Sequence, residues 1–303
     1  MYGDLDDDAV TAYREAGEIL TTVFADAVTQ VEPGNRLIDV AEDAEAQIRE
    51  LGGRPAFPVN ISRDEEASHA TPGIDDDTTF GEEMVCLDIG VHVDGYIADA
   101  AVTVDHTGNR ELVEAAEEAL TVAVDTAGPG VHTGEIGAEI EAVIDAYGYN
   151  PVVNLTGHGL AHWDAHTGPS VPNRAVDSGV ELEPGDVVAI EPFATTGSGK
   201  VREGSLTEIY SLEEDRNVRD RRARQVLETV RDQYRELPFA ARWLDGSRTE
   251  MSLQRLTRSG VLTDYPVLKE ADGELVSQAE HTLIITEDGC EVTTAGLYDT
   301  LER

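Results

Sequence analysis

The feature that most constrains the fold is a pair of aspartates inside two apolar segments that a turn separates. Asp88 lies in the run VCLDIGVHV and Asp99 in the run YIADAAVT, with the turn-forming pair Asp94-Gly95 between them. Two such strands in a sheet bury both side chains, and an uncompensated buried carboxylate costs several kcal/mol. A fold that buries this hairpin therefore has to supply a proton or a cation there.

The length of the turn decides how close the two carboxylates lie. A four-residue loop at 92–95 pairs Asp88 directly with Asp99, whereas a two-residue loop pairs Asp88 with Ala101 and leaves Asp99 diagonal. Both alternatives place the carboxylates on one face, with Cβ atoms about 5 Å apart when opposite and roughly 7–8 Å apart when diagonal. Such a pair can share a proton, but a divalent metal compensates it better. Taken alone, the pattern also fits two ordinary aspartates at strand ends.

Three more segments hold the other titratable side chains of interest. His158, His162 and His166 stand four apart, but the glycines among them argue against one continuous helix and favour strand-to-loop placement. Glu191 lies inside the apolar run VVAIEPFAT, and Glu280 lies at the start of the run QAEHTLIIT. Four carboxylates and one imidazole form the donor set of a dinuclear hydrolase site.

These five positions follow the order Asp, Asp, His, Glu, Glu, and the strings around them resemble those of methionine aminopeptidases. The matching strings are LDIGVHVDGYIADAAVT, NLTGHGL, AHTGPSVPN, AIEPFAT and QAEHT. The resemblance runs from about residue 8 to the C-terminus. It implies an α+β fold of the pita-bread type, which methionine aminopeptidases share with prolidases and creatinases.

The resemblance also implies a domain organisation. Residues 1–195 and 268–303 are expected to form the pita-bread catalytic domain. Residues 196–267 are expected to form a helical insertion subdomain of the kind that marks the type 2 enzymes. The chain begins almost directly with the catalytic part, which together with its acidic composition resembles an archaeal, halophile-like type 2 enzyme.

The same resemblance implies the metal ligands by position. Asp88 is expected to chelate one metal ion, and Asp99 and Glu280 to bridge two. His158 and Glu191 are expected to complete the coordination of the second ion. The implied cofactors are two divalent ions (Co, Mn, Fe or Zn) that activate a bridging water. Glu191 is then expected to pass a proton from that water to the leaving amine.

Further positions outside the metal ligands match residues that contact the substrate. His69 and His166 resemble the pair that contacts the substrate carbonyl and the second residue, and both are expected to support catalysis. The predicted methionine pocket consists of Phe57, Pro58, Asn60, Ile61 and Tyr265. The other histidines are interpreted as structural: His92, His106, His132, His162 and His281. The implied activity is removal of the N-terminal methionine from nascent proteins, with a preference for a small second residue.

Two alternatives share the implied fold. A prolidase or X-Pro aminopeptidase has the same ligand order, but it usually carries a large N-terminal domain and lacks the insertion. Only about 50 residues precede the string FPVNIS here. A non-catalytic pita-bread protein that binds ribosomes or RNA is the second alternative. Such relatives lose metal ligands, whereas all five positions are filled in this sequence.

Composition limits the partners. The 61 acidic and 22 basic residues give a net charge of −39, which disfavours DNA and anionic membranes because phosphate contacts require a cationic surface. Seven of the twenty arginines fall within residues 217–242. We interpret them as pairing with nearby acids, with a transient ribosome contact as the alternative. Without a signal peptide or a long apolar run, a cytoplasmic protein is expected, and a monomer by resemblance.

The remaining patterns predict the secondary structure. Cys86 and Cys290 lie in apolar runs and are interpreted as small buried hydrophobes rather than as a disulfide. Helical spacing predicts helices at 8–31, 37–51, 110–127, 134–147 and 217–242. Apolar runs predict extended segments at 57–62, 152–155 and 187–194, and strand-turn-strand units at 84–105 and 275–294.

The excess of negative charge predicts a strong dependence of stability on salt. Self-repulsion destabilises the compact state, and molar salt shortens the Debye length to about 3 Å. We expect the thermal unfolding temperature to be markedly higher in about 3 M KCl than in about 0.1 M KCl, because the added ions screen this repulsion. Differential scanning calorimetry measures the two temperatures, and equal values would contradict the halophile interpretation.

Overall fold

The computed structural model describes residues 1–244 and 249–298. Helices in these ranges match the four predicted from residue 8 to residue 147 to within one residue at each end. The helices are α1 (Asp7–Gln30), α2 (Leu37–Glu50), α3 (Arg110–Thr126), α4 (Thr133–Ala146), α5 (Arg221–Gln233), α6 (Thr249–Arg258) and a 3₁₀ helix (Ala241–Trp243). In the described ranges, we find no helix whose length and hydrophobicity would let it cross a membrane.

Strands and helices come mostly in separate runs along the chain, which confirms the α+β class. They are β1 (Arg54–Pro55), β2 (Asn60–Arg63), β3 (Glu66–Ser68), β4 (Met84–Val93), β5 (Tyr96–Asp105), β6 (Asn150–Pro151), β7 (Thr156–Ala161), β8 (Asp164–Pro172), β9 (Val187–Ile190), β10 (Phe193–Thr195), β11 (Arg202–Leu212), β12 (Phe239–Ala240), β13 (Leu262–Lys269), β14 (Val276–Gln278), β15 (His281–Ile285) and β16 (Cys290–Val292).

The strands form four sheets within the described ranges. β4 and β5 form a long hairpin, and β1 and β2 pair with the other edge of β4. A second sheet has the order β16-β15-β9-β7-β8, and a third the order β14-β10-β6. The fourth sheet has the order β12-β11-β13-β3. Every pairing between these strands is antiparallel.

Two apolar clusters pack the helices against the sheets. The first joins α1 and α2 to the hairpin β4–β5 through side chains such as Phe24, Ile48 and Leu87. The second joins α3 and α4 to strands of the second and third sheets through side chains such as Leu112 and Ile140. Successive strand residues alternate between faces, so the apolar face of each strand turns towards the helices and the other face is left for the polar side chains.

Two predicted strands differ from the structure. Residues 152–155 form a turn instead of a strand, because the Asn154 side chain bonds both the carbonyl (2.9 Å) and the N–H (3.1 Å) of Val201. The predicted strand at 187–194 is divided into β9 and β10. Pro192 lies at the break, and proline has no N–H to donate to a ladder.

The segment predicted as a helical insertion, residues 196–267, is only partly helical. β11 and β13 form an antiparallel ribbon at its two ends, and α6 packs against it. The helix predicted at 217–242 is limited to α5, and Arg235, just beyond it, has a φ of +57°, which a helix cannot continue. The ribbon and its two helices share an apolar cluster that includes Leu227 and Phe239.

Arg242 of this segment forms a buried ion pair with Glu45 of α2. Their side chains are only 2% and 3% exposed. Trp243 Nε1 donates a hydrogen bond to the second oxygen of Glu45 at 2.6 Å. Arg242 also donates to Thr71 Oγ1 at 2.8 Å, two residues beyond His69. This network attaches the segment to α2 and to the loop that carries His69.

We expect Arg242→Met to destabilise the protein strongly, because it leaves the Glu45 carboxylate buried without its cation. Removing one partner of a buried pair costs about 3–5 kcal/mol. The free energy of unfolding is measured by urea titration in molar KCl. Arg255→Met is the matched control, since it breaks a solvent-exposed pair with Asp220 and is expected to change stability little. Equal losses in the two variants would contradict this account.

Candidate metal centre

The hairpin β4–β5 places the two aspartates on the face that points away from α1 and α2. Asp88 lies opposite Ala101, and Asp99 lies opposite Gly90, so the turn is the two-residue alternative. The residues on either side of Asp88 and Asp99 fill the cluster under the helices. A Cβ atom at Gly90 would lie 2.2 Å from the ring of Phe57, so the glycine makes room for that side chain.

The other three predicted ligands come from the neighbouring strands. His158 lies on β7 opposite Ala189 of β9. Glu191 directly follows β9, where Pro192 ends the ladder, and Glu280 lies between β14 and β15. Both glutamates therefore stand where a strand ends, and their side chains reach the same face as the aspartates.

The five side chains form one cluster. Ligand atoms of Asp99, His158 and Glu280 all lie within 4.8 Å of one another. His158 Nε2 is 3.9 Å from Asp99 Oδ2 and 3.6 Å from Glu191 Oε1. Asp88 lines the same cavity as the other four, and its charge acts on Asp99. The structure thus brings together all five residues that the sequence singles out.

Burial dominates the protonation of this cluster. It raises the pKa of Asp88 to about 7, and the hydrogen bond to Asp99 opposes that rise. Burial, followed by repulsion from neighbouring carboxylates, holds the pKa of Asp99, Glu191 and Glu280 well above the usual range. Without a cation these groups retain protons that a bound cation would displace.

The donors of the cluster fit a divalent metal. Within the described residues, Asp88 Oδ1 and Asp99 Oδ1 are buried and form no hydrogen bond. The carbonyl of Gly159 can only accept, so His158 Nδ1, 3.3 Å away, carries the proton and Nε2 keeps a free lone pair. Burial also lowers the pKa of His158 to about 4, which keeps the ring neutral. Carboxylate oxygens with one neutral imidazole suit Mn, Fe, Co or Zn.

Sequence reasoning missed the polar side chains that hold these ligands. Gln278 Nε2 donates to Glu191 Oε2 at 3.2 Å and to Glu280 Oε2 at 3.3 Å. The Tyr298 hydroxyl accepts from the Glu280 N–H at 2.9 Å and donates to the Ala101 carbonyl at 2.7 Å. Gln278 precedes Glu280 by two residues in the string QAEHT, so strand alternation was a usable signal for it.

A cavity of about 130 Å³ opens onto the carboxylates. Five predicted substrate-binding residues line it: Phe57, Asn60, His69, His166 and Tyr265. Ile61 is corrected, because strand alternation turns it to the other face of β2 and into the core under α1 and α2. Pro58 is likewise buried and does not line the cavity. Sequence reasoning missed the other lining residues: Ser68, Leu155, Thr156, Ile209 and Pro238.

The two predicted substrate histidines both lie beside the ring of Tyr265. The His69 ring lies 5.3 Å and the His166 ring 6.5 Å from the Tyr265 ring, measured between centroids. The His166 ring is also 4.5 Å from the ring of His158. Burial lowers the pKa of His69, and burial with repulsion from the neighbouring histidines lowers that of His166 to about 3. Both rings are therefore neutral near pH 7.

The histidines interpreted as structural do not line this cavity. His92 accepts a hydrogen bond from the Gly95 N–H at 3.1 Å, and the ring of His162 stacks on that of Tyr96. Both contacts stabilise the tip of the hairpin β4–β5. Cys86 is buried and Cys290 is half-buried, and both are free thiols.

Metal binding at this centre is expected to release protons and to strengthen as the pH rises from about 5 to about 8. The reason is that the metal-free carboxyl groups hold protons at raised pKa values, about 7 for Asp88. Titration calorimetry of Mn²⁺ into the metal-free protein, in buffers of different ionisation enthalpy, measures affinity and proton release. Asp88→Asn is expected to release fewer protons, and the exposed Glu139→Gln to behave as the wild type. Binding without proton release at about pH 6 would contradict this account.

Comparisons with known proteins agree with this geometry. Residues 11–287 match the model of metallopeptidase family M24. A methionine aminopeptidase of Archaeoglobus fulgidus is 50% identical over 291 residues, which cover 96% of this chain and 100% of that one. A solved thermophilic Arx1 has a TM-score of 0.85 at 18% identity over 99% of both chains. The methionine aminopeptidase of Thermotoga maritima has a TM-score of 0.71 at 21% identity, covering 97% of this chain and 99% of that one. The pita-bread fold is confirmed, and the chain belongs to the methionine aminopeptidases of metallopeptidase family M24.

Proposed function

We propose that the chain removes the N-terminal methionine of nascent proteins by hydrolysing the first peptide bond, with two divalent metal ions in the buried cluster and a preference for a small second residue. The observation that carries the proposal is that four buried carboxylates and a neutral imidazole meet at one cavity. A cavity of this size suits one side chain and the adjoining peptide group rather than a folded chain. That restriction favours cleavage at a chain end.

The positions of the ligands support two metal ions. Asp99 and Glu280 are central in the cluster, so we assign them to both ions. Asp88 lies beside Asp99 on the hairpin and is assigned to one ion. His158 and Glu191 lie 3.6 Å apart on the other side and are assigned to the second ion. When bound, such ions (Co, Mn, Fe or Zn) lower the pKa of a water and polarise the substrate carbonyl.

Glu191 is the proposed proton shuttle. Gln278 holds its Oε2, and its Oε1 lies 3.6 Å from His158 Nε2 at the cavity. Burial and the charge of Asp88 raise the pKa of Glu191. A carboxylate with a raised pKa suits a group that takes a proton from water and returns it to the leaving amine.

The neutral histidines are proposed to orient the substrate. His69 Nδ1 lies 3.2 Å from the Pro266 carbonyl, which can only accept, so His69 Nε2 is left to accept from a substrate N–H. His166, whose ring contacts that of His158, is placed to donate to the oxygen of the scissile carbonyl. A hydrogen bond that strengthens as charge develops on that oxygen lowers the barrier.

The methionine pocket is proposed to lie among Phe57, Asn60, Ile209, Pro238 and Tyr265. Its apolar members suit an unbranched thioether. Because one methylene group contributes only about 1–3 kcal/mol of discrimination, residues close to methionine in size are expected to react slowly rather than not at all.

We also propose that the chain is a type 2 enzyme, with residues 1–195 and 268–303 as the catalytic domain and residues 196–267 as the insertion. The insertion contributes Ile209, Pro238 and Tyr265 to the cavity, and it has its own apolar cluster, which supports treating it as a subdomain. The archaeal, halophile-like origin is supported by the net charge of −39. A monomeric state, a cytoplasmic location and a transient ribosome contact remain predictions.

Two other functions are compatible with the fold. A prolidase-like enzyme would use the same ligands on a substrate with proline at its second position. A non-catalytic protein that binds ribosomes or RNA would not need a metal centre. Against the second alternative, all five ligand positions are filled and convergent, with Asp99 and Glu280 buried and the other three half-buried.

The proposal is tested by peptide hydrolysis with a divalent metal in molar KCl. We expect the protein to release methionine from Met-Ala-Ser and to leave an X-Pro dipeptide intact. Cleavage of the X-Pro dipeptide alone would identify a prolidase-like enzyme. Cleavage of neither peptide would favour the non-catalytic alternative.

The same assay tests the role of Glu191. We expect Glu191→Ala to lower kcat by about 10²- to 10⁴-fold, the range of general acid–base catalysis. Glu139→Gln, an exposed substitution on α4, is the control and is expected to leave kcat unchanged. Circular dichroism establishes that each variant is folded, and a folded Glu191→Ala protein with wild-type kcat would contradict the assigned role.

A further inference from the structure

Gln278 is an uncharged side chain between two of the proposed ligands, and it is only 2% exposed. Its Nε2 donates to Glu191 Oε2 at 3.2 Å and to Glu280 Oε2 at 3.3 Å. Glu191 lies between β9 of the second sheet and β10 of the third, and Glu280 lies between β14 of the third sheet and β15 of the second. One amide group therefore links carboxylates from two chain segments, each of which passes from one sheet to the other.

The backbone of Gln278 is held firmly. The Thr103 hydroxyl accepts from the Gln278 N–H at 2.9 Å and donates to the Gln278 carbonyl at 2.7 Å. Thr103 on β5 lies directly opposite Cys86 on β4. The Cys86 thiol donates to Gln278 Oε1 at 3.1 Å, so the far end of the amide is fixed as well.

Donor and acceptor chemistry sets the orientation of this amide. Ionised carboxylates only accept hydrogen bonds, so the NH₂ group of Gln278 has to face Glu191 and Glu280 when they act as ligands. Oε1 then faces Cys86, whose S–H is the donor that this arrangement needs. When both glutamates are ionised, a rotated amide would place Oε1 against two carboxylates, and repulsion disfavours that orientation.

We propose that Gln278, oriented by Cys86, is a positioning residue that keeps Glu191 and Glu280 at ligand spacing before metal binds, and that it thereby sets the affinity of the centre for its ions. The inference rests on the proposed function in so far as it takes both glutamates as ligands. A carboxylate that is already ordered loses less conformational freedom on binding than one that still rotates. Groups that orient metal ligands in this way typically contribute about 10- to 100-fold to metal affinity.

The affinity of the metal-free protein for Mn²⁺, measured by titration calorimetry, tests the proposal. Gln278→Met keeps the length of the side chain and removes both donors, and we expect Mn²⁺ to bind about 10- to 100-fold more weakly. Cys86→Ala removes the thiol donor and is expected to weaken binding to a smaller extent. Cys86→Ser restores a donor and is expected to recover most of the wild-type affinity.

Cys290→Ala is the matched control for loss of a thiol. In the wild type, the Cys290 Sγ contacts the Val124 carbonyl at 3.6 Å, and Cys290 does not line the cavity. The Mn²⁺ affinity of Cys290→Ala is therefore expected to equal that of the wild type. Thermal unfolding of each metal-free variant separates a general loss of stability from a change at the centre. A purely structural role of Gln278 would lower the unfolding temperature and leave Mn²⁺ affinity unchanged.

Wild-type Mn²⁺ affinity in both Gln278→Met and Cys86→Ala would overturn the proposal. If Gln278→Met does not fold, the Mn²⁺ affinities of Cys86→Ala and Cys86→Ser test the proposal instead. Equal Mn²⁺ affinities of these two variants would also overturn it. The outcome is independent of the peptide assay. Tight binding that depends on Gln278, in a protein that releases no methionine, would refute the proposed function and leave this inference standing.

Discussion

Repulsion among four buried carboxylates is the interaction on which the rest of the structure depends. Asp88, Asp99, Glu191 and Glu280 meet on otherwise apolar strands, and in the described part of the chain no lysine or arginine forms an ion pair with them. The His158 ring, which lies next to Asp99 and Glu191, is neutral. Without a cation, the arrangement is tolerated through bound protons. Bound metal ions would displace these protons and compensate the negative charges.

The chemistry and the substrate selectivity are built by different parts of the chain. The proposed metal ligands lie on β4, β5 and β7, directly after β9, and between β14 and β15. The cavity wall draws on the ribbon β11–β13 and the residues between its strands, which supply Ile209, Pro238 and Tyr265. The buried pair of Arg242 and Glu45 anchors this wall. Changes in the ribbon can therefore alter which side chain fits without disturbing the ligands.

The site was more predictable from the sequence than the elements around it. Acidic residues in apolar runs indicated the four candidate carboxylates, and both possible turns of the hairpin placed Asp88 and Asp99 on one face. In the structure, Asp94 and Gly95 have positive φ angles of +50° and +91°, which are typical of the two-residue turn. Gln278 carries no charge, so only its position two residues before Glu280 indicated that it belongs to the centre.

The misassigned elements had weak or misleading patterns. The ribbon strand β11, with the sequence REGSLTEIYSL, lacks a run of apolar residues, because much of it is exposed. Ile61 belongs to a stretch that resembles the wall of a methionine pocket, but strand alternation turns its side chain into the core. The most direct test of the metal centre is anomalous X-ray diffraction from crystals grown with Mn²⁺. Two peaks about 3.5–4 Å apart among the five ligands are expected. A single peak, or peaks away from Asp99 and Glu280, would contradict a dinuclear centre.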